Sequence, residues 1–347
     1  MHYNKSHIIQ TILKGRELNM RFAVIGTNFV TDWFLEAGKV CEGFFLDTVY
    51  SRDINRANEY AKTHGAAYST DSLENLAARA EAEAVYIASP TSLHYTQCAA
   101  MLRAKKHVLC EKPITSNLSE LQSLLDISQN NNVSIMEAMR PAYTPGLFEL
   151  KILIKEIGTV RRATFSFCQY SSRYDKFRAG ETPNAFNPAY SNGALMDLGV
   201  YPVHIMLRLF GVPKSIQSCS VKLHNGIDGA GTILASFDDK IVDLKYSKIS
   251  GSDNFSEIQG ERGSLYFDEI TRLSRFKISL RNSSEPKTVI VPTHEHDMIY
   301  ELLAFMRLAN SYEEMRKEHY YTIETTRILD EVRKQNGIIF PADQKPL

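Results

Sequence analysis

Cysteines are few in this sequence, and no two of them are spaced as C-x-x-C. The five are Cys41, Cys98, Cys110, Cys168 and Cys219, an odd number whose spacing gives no disulfide framework. This excludes a small disulfide-stapled fold and indicates a reducing compartment, so we expect a cytoplasmic protein.

An excess of one charge and a long apolar run are also missing. The 347 residues carry 40 basic and 40 acidic side chains, so the formal net charge is zero. Proteins that bind nucleic acid usually have a basic excess, and we expect no such partner. No apolar run approaches the roughly 18 residues of a membrane span, and residues 1–19 lack the apolar core of a signal peptide. We therefore expect no membrane association.

Residues 1–19 form an N-terminal extension that allows two interpretations. Apolar residues at Ile8, Ile9, Ile12 and Leu13 are compatible with a short extra helix. Met20 directly precedes the first predicted strand, so the extension is equally compatible with an upstream start.

Short apolar runs alternate with helical segments from residue 20 to about residue 140. The sequence predicts strands over 21–26, 44–50, 85–88, 106–110 and 133–138, and helices over 31–37, 54–64, 94–104 and 118–129. Such alternation is typical of a doubly wound parallel sheet with helices on both faces. We therefore predict an α/β domain of the Rossmann type over residues 20–140.

The pattern changes after residue 141, where β-rich stretches follow one another without intervening helices. They cover 163–170, 215–224, 231–237, 240–247, 254–259, 264–267 and 277–280, and helices are predicted over 148–157, 296–308 and 322–334. Residues 141–347 are thus predicted to form an α+β domain with a large, mostly antiparallel open sheet. We expect an apolar face of this sheet to be covered by another subunit, in a homodimer or higher homo-oligomer.

The first strand leads into a glycine turn typical of dinucleotide-binding proteins, although two of its glycines are replaced. The usual pattern is GxGxxG between a strand and a helix. Here Gly26 is kept, whereas Asn28 and Thr31 replace the other two. Asparagine tolerates a positive φ better than most residues, and the helix behind the turn attracts a pyrophosphate. We predict cofactor contacts from Gly26, Thr27, Asn28 and Phe29.

The end of the second strand favours NADP, with NAD as the alternative. A carboxylate at this position would bind the ribose 2′-hydroxyl of NAD, but the chain has Ser51 and Arg52. Arginine binds a 2′-phosphate with paired donors. Asp47 lies inside the strand and Asp53 beyond it, so neither is well placed to bind the ribose. An ordinary solvated Ser-Arg pair is the alternative.

Three further segments resemble one known family. Residues 88–94 (ASPTSLH), 110–114 (CEKPI) and 197–201 (DLGVY), together with the modified glycine turn, resemble the glucose–fructose oxidoreductase/inositol dehydrogenase family, called Gfo/Idh/MocA. The resemblance covers the chain from Met20 onward. Inositol-type enzymes of this family have histidine at the position of Tyr201. A tyrosine there resembles the branch of glucose–fructose oxidoreductase and dimeric dihydrodiol dehydrogenase.

The resemblance implies roles for specific residues. Lys112 is then the catalytic lysine at the nicotinamide, Tyr201 the proton donor or acceptor, and Asp197 the acidic residue at the substrate. Further cofactor contacts are expected from the segments after the third and fourth strands, at Ser89, Pro90, Thr91, His94, Glu111 and Lys112. His94 is expected to order the turn there rather than to react.

The chemistry of these residue types agrees with the resemblance. Hydride transfer between a nicotinamide and a CH–OH carbon leaves one proton to move on oxygen, which a positioned Tyr or Lys can do. A nearby ammonium favours the phenolate of tyrosine, so Lys112 and Tyr201 are predicted to form a proton relay. Their alternatives, a loop lysine and a packed core tyrosine, stay open.

A helix over residues 197–204 would place Asp197, Tyr201 and His204 on one face. Pro202 is comfortable only in a first helical turn, so we expect a late helix start with Asp197 partly as its cap. His204 is either a substrate contact or a structural histidine. Arg140 is a candidate substrate contact, and Gly193 is expected to let the backbone approach cofactor or substrate.

We therefore predict an NAD(P)-dependent oxidoreductase, with NADP favoured, that acts on a small polyhydroxylated molecule: a sugar, a sugar derivative or a cyclic diol. The alternative from another class is a non-catalytic NADP(H)-binding redox sensor. His294 and His296 are more typical of a polar helix cap than of a metal site, so no metal is expected.

Overall fold

The computed structural model describes residues 19–344, and these form two compact units. Within the described residues, one unit comprises residues 19–139 and His294–Tyr320, and the other comprises Arg140–Thr293 and residues 321–344. The helix considered for Ile8 to Leu13 lies outside the described residues.

The first unit contains a six-stranded sheet of the predicted Rossmann type. Its strands are β1 (Met20–Ile25), β2 (Phe44–Tyr50), β3 (Tyr68–Thr70), β4 (Ala84–Ile87), β5 (His107–Glu111) and β6 (Ile135–Ala138). They are ordered β3-β2-β1-β4-β5-β6, and all neighbours are parallel. The predicted α/β class is confirmed.

Five helices connect these strands: α1 (Phe29–Lys39), α2 (Ile54–His64), α3 (Leu73–Ala78), α4 (Thr91–Arg103) and α5 (Leu118–Asn131). Strand β3 and helix α3 were not predicted, because three and six residues are too few to show a periodic pattern.

Aromatic packing fixes α1 against the sheet. Phe34 on α1 stacks on Tyr86 of β4 with ring centroids 3.8 Å apart, and both side chains are fully buried. Phe44 of β2 meets Phe34 edge to face at 5.7 Å. Stacked and edge-to-face rings are favourable beyond the area that they bury. This packing places the N-terminus of α1 directly after β1.

The segment His294–Tyr320 belongs to the first unit, whereas the sequence analysis assigned everything after residue 140 to the second domain. The difference comes from helix α9 (Ile299–Leu308), whose Phe305 contacts Phe22 of β1 at 5.9 Å between ring centroids. Met306 also lies against Cys41, with 3.9 Å between the two sulfur atoms. Apolar contacts so distant in the chain leave no local sequence signal.

The second unit contains an eight-stranded sheet ordered β14-β13-β12-β11-β7-β10-β9-β8. Its strands are β7 (Val160–Cys168), β8 (Ser215–Lys222), β9 (Asp228–Ser236), β10 (Ile241–Ser247), β11 (Ser256–Gly260), β12 (Gly263–Phe267), β13 (Arg275–Leu280) and β14 (Lys287–Ile290). Only β7 and β10 are parallel neighbours, which confirms the predicted mostly antiparallel sheet. Strand β14 was not predicted.

Helices α6 (Pro145–Glu156), α7 (Tyr174–Arg178) and α8 (Val200–Phe210) also belong to this unit, and α10 (Tyr312–Gln335) contributes its later residues. The buried face of the sheet is apolar, as at Val242 and Leu244 of β10. On the alternate positions, Arg162 donates to Asp243 at 2.8 Å, and the Thr164 hydroxyl donates to the same carboxylate at 2.8 Å. Apolar side chains share this outward face, since Leu234 of β9 and Ile241 of β10 are exposed. The expectation that another subunit covers the sheet stays a prediction.

The helical segment Pro188–Phe210 is long and apolar enough to cross a membrane by length and composition. This corrects the expectation that no segment approaches that length. However, 78% of its most apolar window is buried inside the protein, which is typical of the core helix of a soluble protein.

Candidate active site

The residues predicted to bind the cofactor follow strands that end at one edge of the parallel sheet. The strand order reverses between β1 and β4, and ligands of open α/β sheets bind at such a switch point, outside the carboxyl ends of the strands. Gly26 follows β1, Ser51 follows β2, Ser89 follows β4 and Lys112 follows β5. The structure thus brings these four positions to the same edge of the first unit.

At the switch point, only glycine is compatible with the backbone of residue 26. Gly26 has a φ of +114°, and an added Cβ would lie 2.6 Å from the Ala88 carbonyl oxygen. The Thr31 hydroxyl lies behind this turn and is buried without a hydrogen-bond partner in the described structure. A turn without a Cβ and an unused buried donor at the start of α1 both fit the approach of a dinucleotide phosphate.

Asn28 has a different role from the one expected. Its φ of −115° is in the extended region, so the turn uses no positive φ there. Its Oδ1 instead accepts from the Val30 and Thr31 amides, and its Nδ2 donates to the Ala88 carbonyl at 2.7 Å. Asparagine is a favoured N-cap residue, and this cap fixes α1 to the end of β4.

Two arginines lie near the turn. Arg56 on α2 donates through its guanidinium to both the hydroxyl and the carbonyl oxygen of Thr27, a contact that the sequence analysis missed. Arg52 is exposed between Ser51 and Asp53. The Asp53 carboxylate is occupied as the N-cap of α2, in agreement with the prediction that it does not bind the ribose.

Asp47 is also engaged elsewhere. Its carboxylate accepts two hydrogen bonds from Arg79, at 2.9 and 3.1 Å, and Arg79 is the main group that lowers the pKa of Asp47 against the opposing effect of burial. No acidic side chain at this strand end is therefore available in the place where NAD-selective proteins have one.

His94 joins the two loops that flank Lys112. Its Nε2 lies 2.8 Å from the Ser89 carbonyl oxygen and its Nδ1 lies 3.0 Å from that of Pro113. Burial lowers the pKa of the imidazole, and the carbonyl oxygens around the ring act in the opposite direction. These contacts support the ordering role that the sequence analysis gave to His94.

Glu111, the residue before Lys112, is anchored in the core of the first unit. The Tyr86 hydroxyl donates to Glu111 Oε1 at 2.6 Å. Burial first and then the Glu111 carboxylate raise the pKa of Tyr86 well above its usual value. The backbone that carries Lys112 is thus held on one side by Tyr86 and on the other by His94.

In the second unit, Asp197 and Tyr201 lie on one continuous helical segment. A π-helical turn (Leu195–Gly199) runs directly into α8, and the Asp197 amide donates to the Gly193 carbonyl at 3.2 Å. The expectation of a late helix start with Asp197 as cap is wrong, because helical hydrogen bonding begins before Asp197. Pro202 is the third residue of α8 and follows the π-helical turn closely.

The cap of this segment is Asp228, on strand β9. Its buried carboxylate accepts from the Leu195 amide at 2.6 Å, and burial raises the pKa of Asp228 to about 6. Gly193 has a φ of +157°, and a Cβ there would collide with Asp228 Oδ1. Gly193 therefore makes room for this cap within the protein, in place of the expected approach to a ligand.

Asp197 has a buried basic partner that the sequence analysis missed. Lys248, directly after β10, places its Nζ 2.8 Å from Asp197 Oδ2. The Lys248 side chain is 3% exposed and that of Asp197 is 38% exposed. Only the position of Lys248 at the end of an apolar strand hinted that its charge is buried.

Tyr201 and His204 are both buried. The Tyr201 ring meets Phe167 edge to face at 5.5 Å. His204 Nε2 accepts from Arg208 Nε at 3.0 Å, and His204 Nδ1 lies 3.1 Å from the Thr325 hydroxyl. Burial first, and then the Arg208 charge, lower the pKa of His204 well below its usual value. Both ring nitrogens are engaged within the unit, which favours the structural role for His204.

Two other predicted features take simple positions. Arg140 begins a 3₁₀ turn (Arg140–Ala142) directly after β6. His294 Nδ1 accepts from the His296 amide at 3.1 Å, a local turn contact. Among residues 19–344, no group of three or more His, Cys, Asp or Glu side chains is arranged to hold a metal ion.

Two family models match the chain. One is described as "Oxidoreductase family, NAD-binding Rossmann fold" and matches residues 20–139, and the other, the "GFO/IDH/MocA C-terminal domain", matches residues 150–266.

Among relatives, the chain is 44% identical to the scyllo-inositol 2-dehydrogenase (NADP(+)) IolU of Bacillus subtilis, over 94% of this chain and 99% of that protein. It is 26% identical to a trans-1,2-dihydrobenzene-1,2-diol dehydrogenase of Danio rerio, over 86% and 90%. Among solved structures, KijD10, a 3-ketoreductase from Actinomadura kijaniata in complex with NADP and TDP-benzene, has a TM-score of 0.81 at 21% identity, over 91% of this chain and 98% of that chain.

A Rossmann sheet with a dinucleotide turn, joined in one chain to an open-sheet domain, defines a nicotinamide-dependent oxidoreductase. The chain belongs to the GFO/IDH/MocA oxidoreductase family. The predicted family and the predicted class of enzyme are confirmed. Which residues contact cofactor and substrate stays a prediction.

The raised pKa of Asp228 predicts a pH-dependent stability that Asp228→Asn removes. The folded protein holds the Asp228 proton up to about pH 6, whereas the unfolded chain loses it near pH 3.9. Stability from this group is thus fully present below about pH 4 and is lost as the pH rises through 6, by about 3 kcal/mol in total.

Urea unfolding midpoints at pH 4 to 7 check this. The Asp228→Asn variant should gain stability relative to the wild type as the pH rises from 4 to 6, and Asp253→Asn, at an exposed position, is the control. A constant difference for Asp228→Asn as well would show that this carboxyl is ionised throughout.

Proposed function

We propose that this chain catalyses hydride transfer between NADP and a secondary alcohol or ketone of a cyclic polyol or sugar. The observation that carries the proposal is the switch-point edge, where the Gly26 turn, the Ser51-Arg52 pair and Lys112 follow strands of one parallel sheet. The similarity to an NADP(+)-dependent inositol dehydrogenase and to a dihydrodiol dehydrogenase supports the cofactor and the class of substrate.

NADP is the favoured cofactor because the end of β2 offers a cation and no available carboxylate. Asp47 is paired with Arg79 and Asp53 caps α2, while Arg52 is exposed. A guanidinium binds a phosphate through paired, charge-assisted hydrogen bonds. The 2′-phosphate that distinguishes NADP from NAD would be held in this way.

Arg52→Ala should weaken NADPH binding about ten- to a hundredfold, which corresponds to the loss of a charged hydrogen bond, and should leave NADH binding unchanged. Trp33 on α1 is the only tryptophan of the chain, so its fluorescence reports the titration of both cofactors. Lys62→Ala, an exposed change on α2, is the control. Equal weakening of NADH and NADPH would contradict the role of Arg52.

The reaction needs one proton transfer besides the hydride. When NADP is bound at the switch-point edge, it would supply hydride chemistry, in which R₂CHOH and NADP⁺ would give R₂C=O, NADPH and H⁺. We propose that Tyr201 exchanges the proton with the substrate oxygen. The ammonium of Lys112 would favour the phenolate form of Tyr201. Asp197 accepts a hydrogen bond from a substrate hydroxyl and orients the ring.

Tyr201→Phe and Lys112→Met should each lower kcat/KM about a hundredfold or more, the usual contribution of a positioned acid–base group. The dissociation constant of NADPH should change little. Steady-state assays with scyllo-inositol and NADP⁺, a double-mutant cycle, and Trp33 titrations measure these effects. Tyr266→Phe, on strand β12, is the matched control.

In the cycle, the double variant should lose little more than either single variant, because both residues serve one proton transfer. Full additivity would argue against the relay. Tight NADPH binding by the wild type, without turnover of any polyol or ketone, would favour the second candidate, a redox sensor.

We also propose a cytoplasmic homo-oligomer, at least a dimer. The outward side of the long open sheet, which exposes Leu234 and Ile241 beside polar residues, is the surface we assign to this contact, since exposed apolar patches with a polar rim are typical of subunit interfaces. Light scattering on the purified protein should give a mass of at least twice 39.3 kDa. A mass of one chain at micromolar concentration would overturn this proposal.

A further inference from the structure

Lys248 is the feature of the second unit that the proposed function does not use. Its side chain is almost completely buried and directly follows the apolar strand β10. Its Nζ contacts Asp197 Oδ2 at 2.8 Å and the Ala185 carbonyl oxygen at 3.0 Å. It also lies 5.1 Å from the ring centroid of Phe186.

A buried ammonium is stable only when its charge is paired and its hydrogen bonds are made. The protein uses two of the three donors of Lys248 on Asp197 and Ala185, and the aromatic face of Phe186 adds a favourable cation–π contact. These partners fix the ammonium in one place. The Asp197 carboxylate, which is the more exposed member of the pair, is consequently held at the end of a rigid support.

We propose that Lys248 is a positioning residue for the reaction: its buried ammonium keeps Asp197 ionised and in one orientation toward the substrate hydroxyl. This inference rests on the proposed function, because it deepens the role given there to Asp197. Lys248 itself does not contact the reacting atoms.

The surroundings of the pair agree with this role. Asp228 on β9 caps the π-helical turn that carries Asp197, and the Lys248 charge also acts on Asp228. One cation from the sheet thus serves both the side chain of Asp197 and the cap of its backbone. Titratable groups on the neighbouring elements include Tyr201, one helical turn after Asp197, and Tyr246 on β10, whose pKa is raised, chiefly by burial.

The test replaces the ammonium by a neutral side chain of similar length. Lys248→Met should raise KM for scyllo-inositol and lower kcat/KM about ten- to a hundredfold, as expected when a charged hydrogen-bonding partner is lost. The acid limb of the kcat/KM profile should move up by about one pH unit or more, because an opposite charge at this distance favours the carboxylate. NADPH binding, followed by Trp33 fluorescence, should not change.

Three variants complete the design. Lys245→Met, an exposed change on the same strand, should behave as the wild type. Lys248→Arg keeps the charge but displaces it, so the acid limb should stay in place while KM rises. In the Asp228→Asn background, Lys248→Met should still move the acid limb, which separates Asp197 from Asp228.

Calorimetric binding of scyllo-inositol to the NADPH-loaded protein gives a readout that does not depend on turnover. A folded Lys248→Met variant with the pH profile, KM and polyol affinity of the wild type would overturn the inference while the proposed function stands. If Lys248→Met does not fold, an unchanged KM in Lys248→Arg would overturn it. A wild type that neither binds nor oxidises any polyol would instead contradict the proposed function.

Discussion

The carbonyl oxygen of Ala88 is the point on which the geometry of the cofactor edge depends. This oxygen ends β4 beside the turn after β1, and it occupies the space that a Cβ of residue 26 would need. The same oxygen accepts the side-chain hydrogen bond of Asn28, which in turn caps α1. Gly26 and Asn28 therefore answer the same constraint, because the turn after β1 comes close to the end of β4. Asn28 stands where the usual pattern has a glycine, and its side chain caps α1 while the turn stays tight.

The second unit depends on buried charge rather than on a glycine turn. Asp228 supplies the acceptor for the amides at the start of the π-helical turn, and Lys248 supplies the counter-charge for Asp197 within that turn. A buried charge is costly unless it is compensated, and here the Lys248 ammonium pairs with Asp197 and its charge also acts on the buried Asp228. The π-helical turn that carries Asp197 packs against β9 and β10, the strands that carry or lead to its partners. Single π-helical turns next to α-helices are frequent at functional sites.

The regular part of the fold could be predicted from local patterns. Strand β2 and helix α2 begin and end at the predicted residues, because the apolar run of one and the capping Asp53 and Gly65 of the other mark their ends. The glycine turn, the Glu-Lys-Pro segment and the DLGVY segment gave the family in the same way. What these signals share is that every residue involved lies within a few positions of the others.

Contacts between distant parts of the chain could not be predicted. Lys248 has no sequence signal that relates it to Asp197, and Phe305 has none that relates it to Phe22. The role of Gly193 was missed for the same reason, since the side chain that approaches it, Asp228, comes from another element. His204 was left open because its neutral state depends on burial and on Arg208. These positions need the three-dimensional structure because electrostatics and packing act across strands.

The most direct test of the account follows the hydrogen atom itself. The purified protein is incubated with NADP⁺ and an inositol that carries deuterium at the CH–OH carbons, and the mass of the NADPH formed is measured. The account predicts NADPH with one deuterium and a primary isotope effect on turnover, because the hydrogen moves as a hydride from carbon to the nicotinamide. NADPH without deuterium, or no NADPH with any polyol although the cofactor binds, would contradict it.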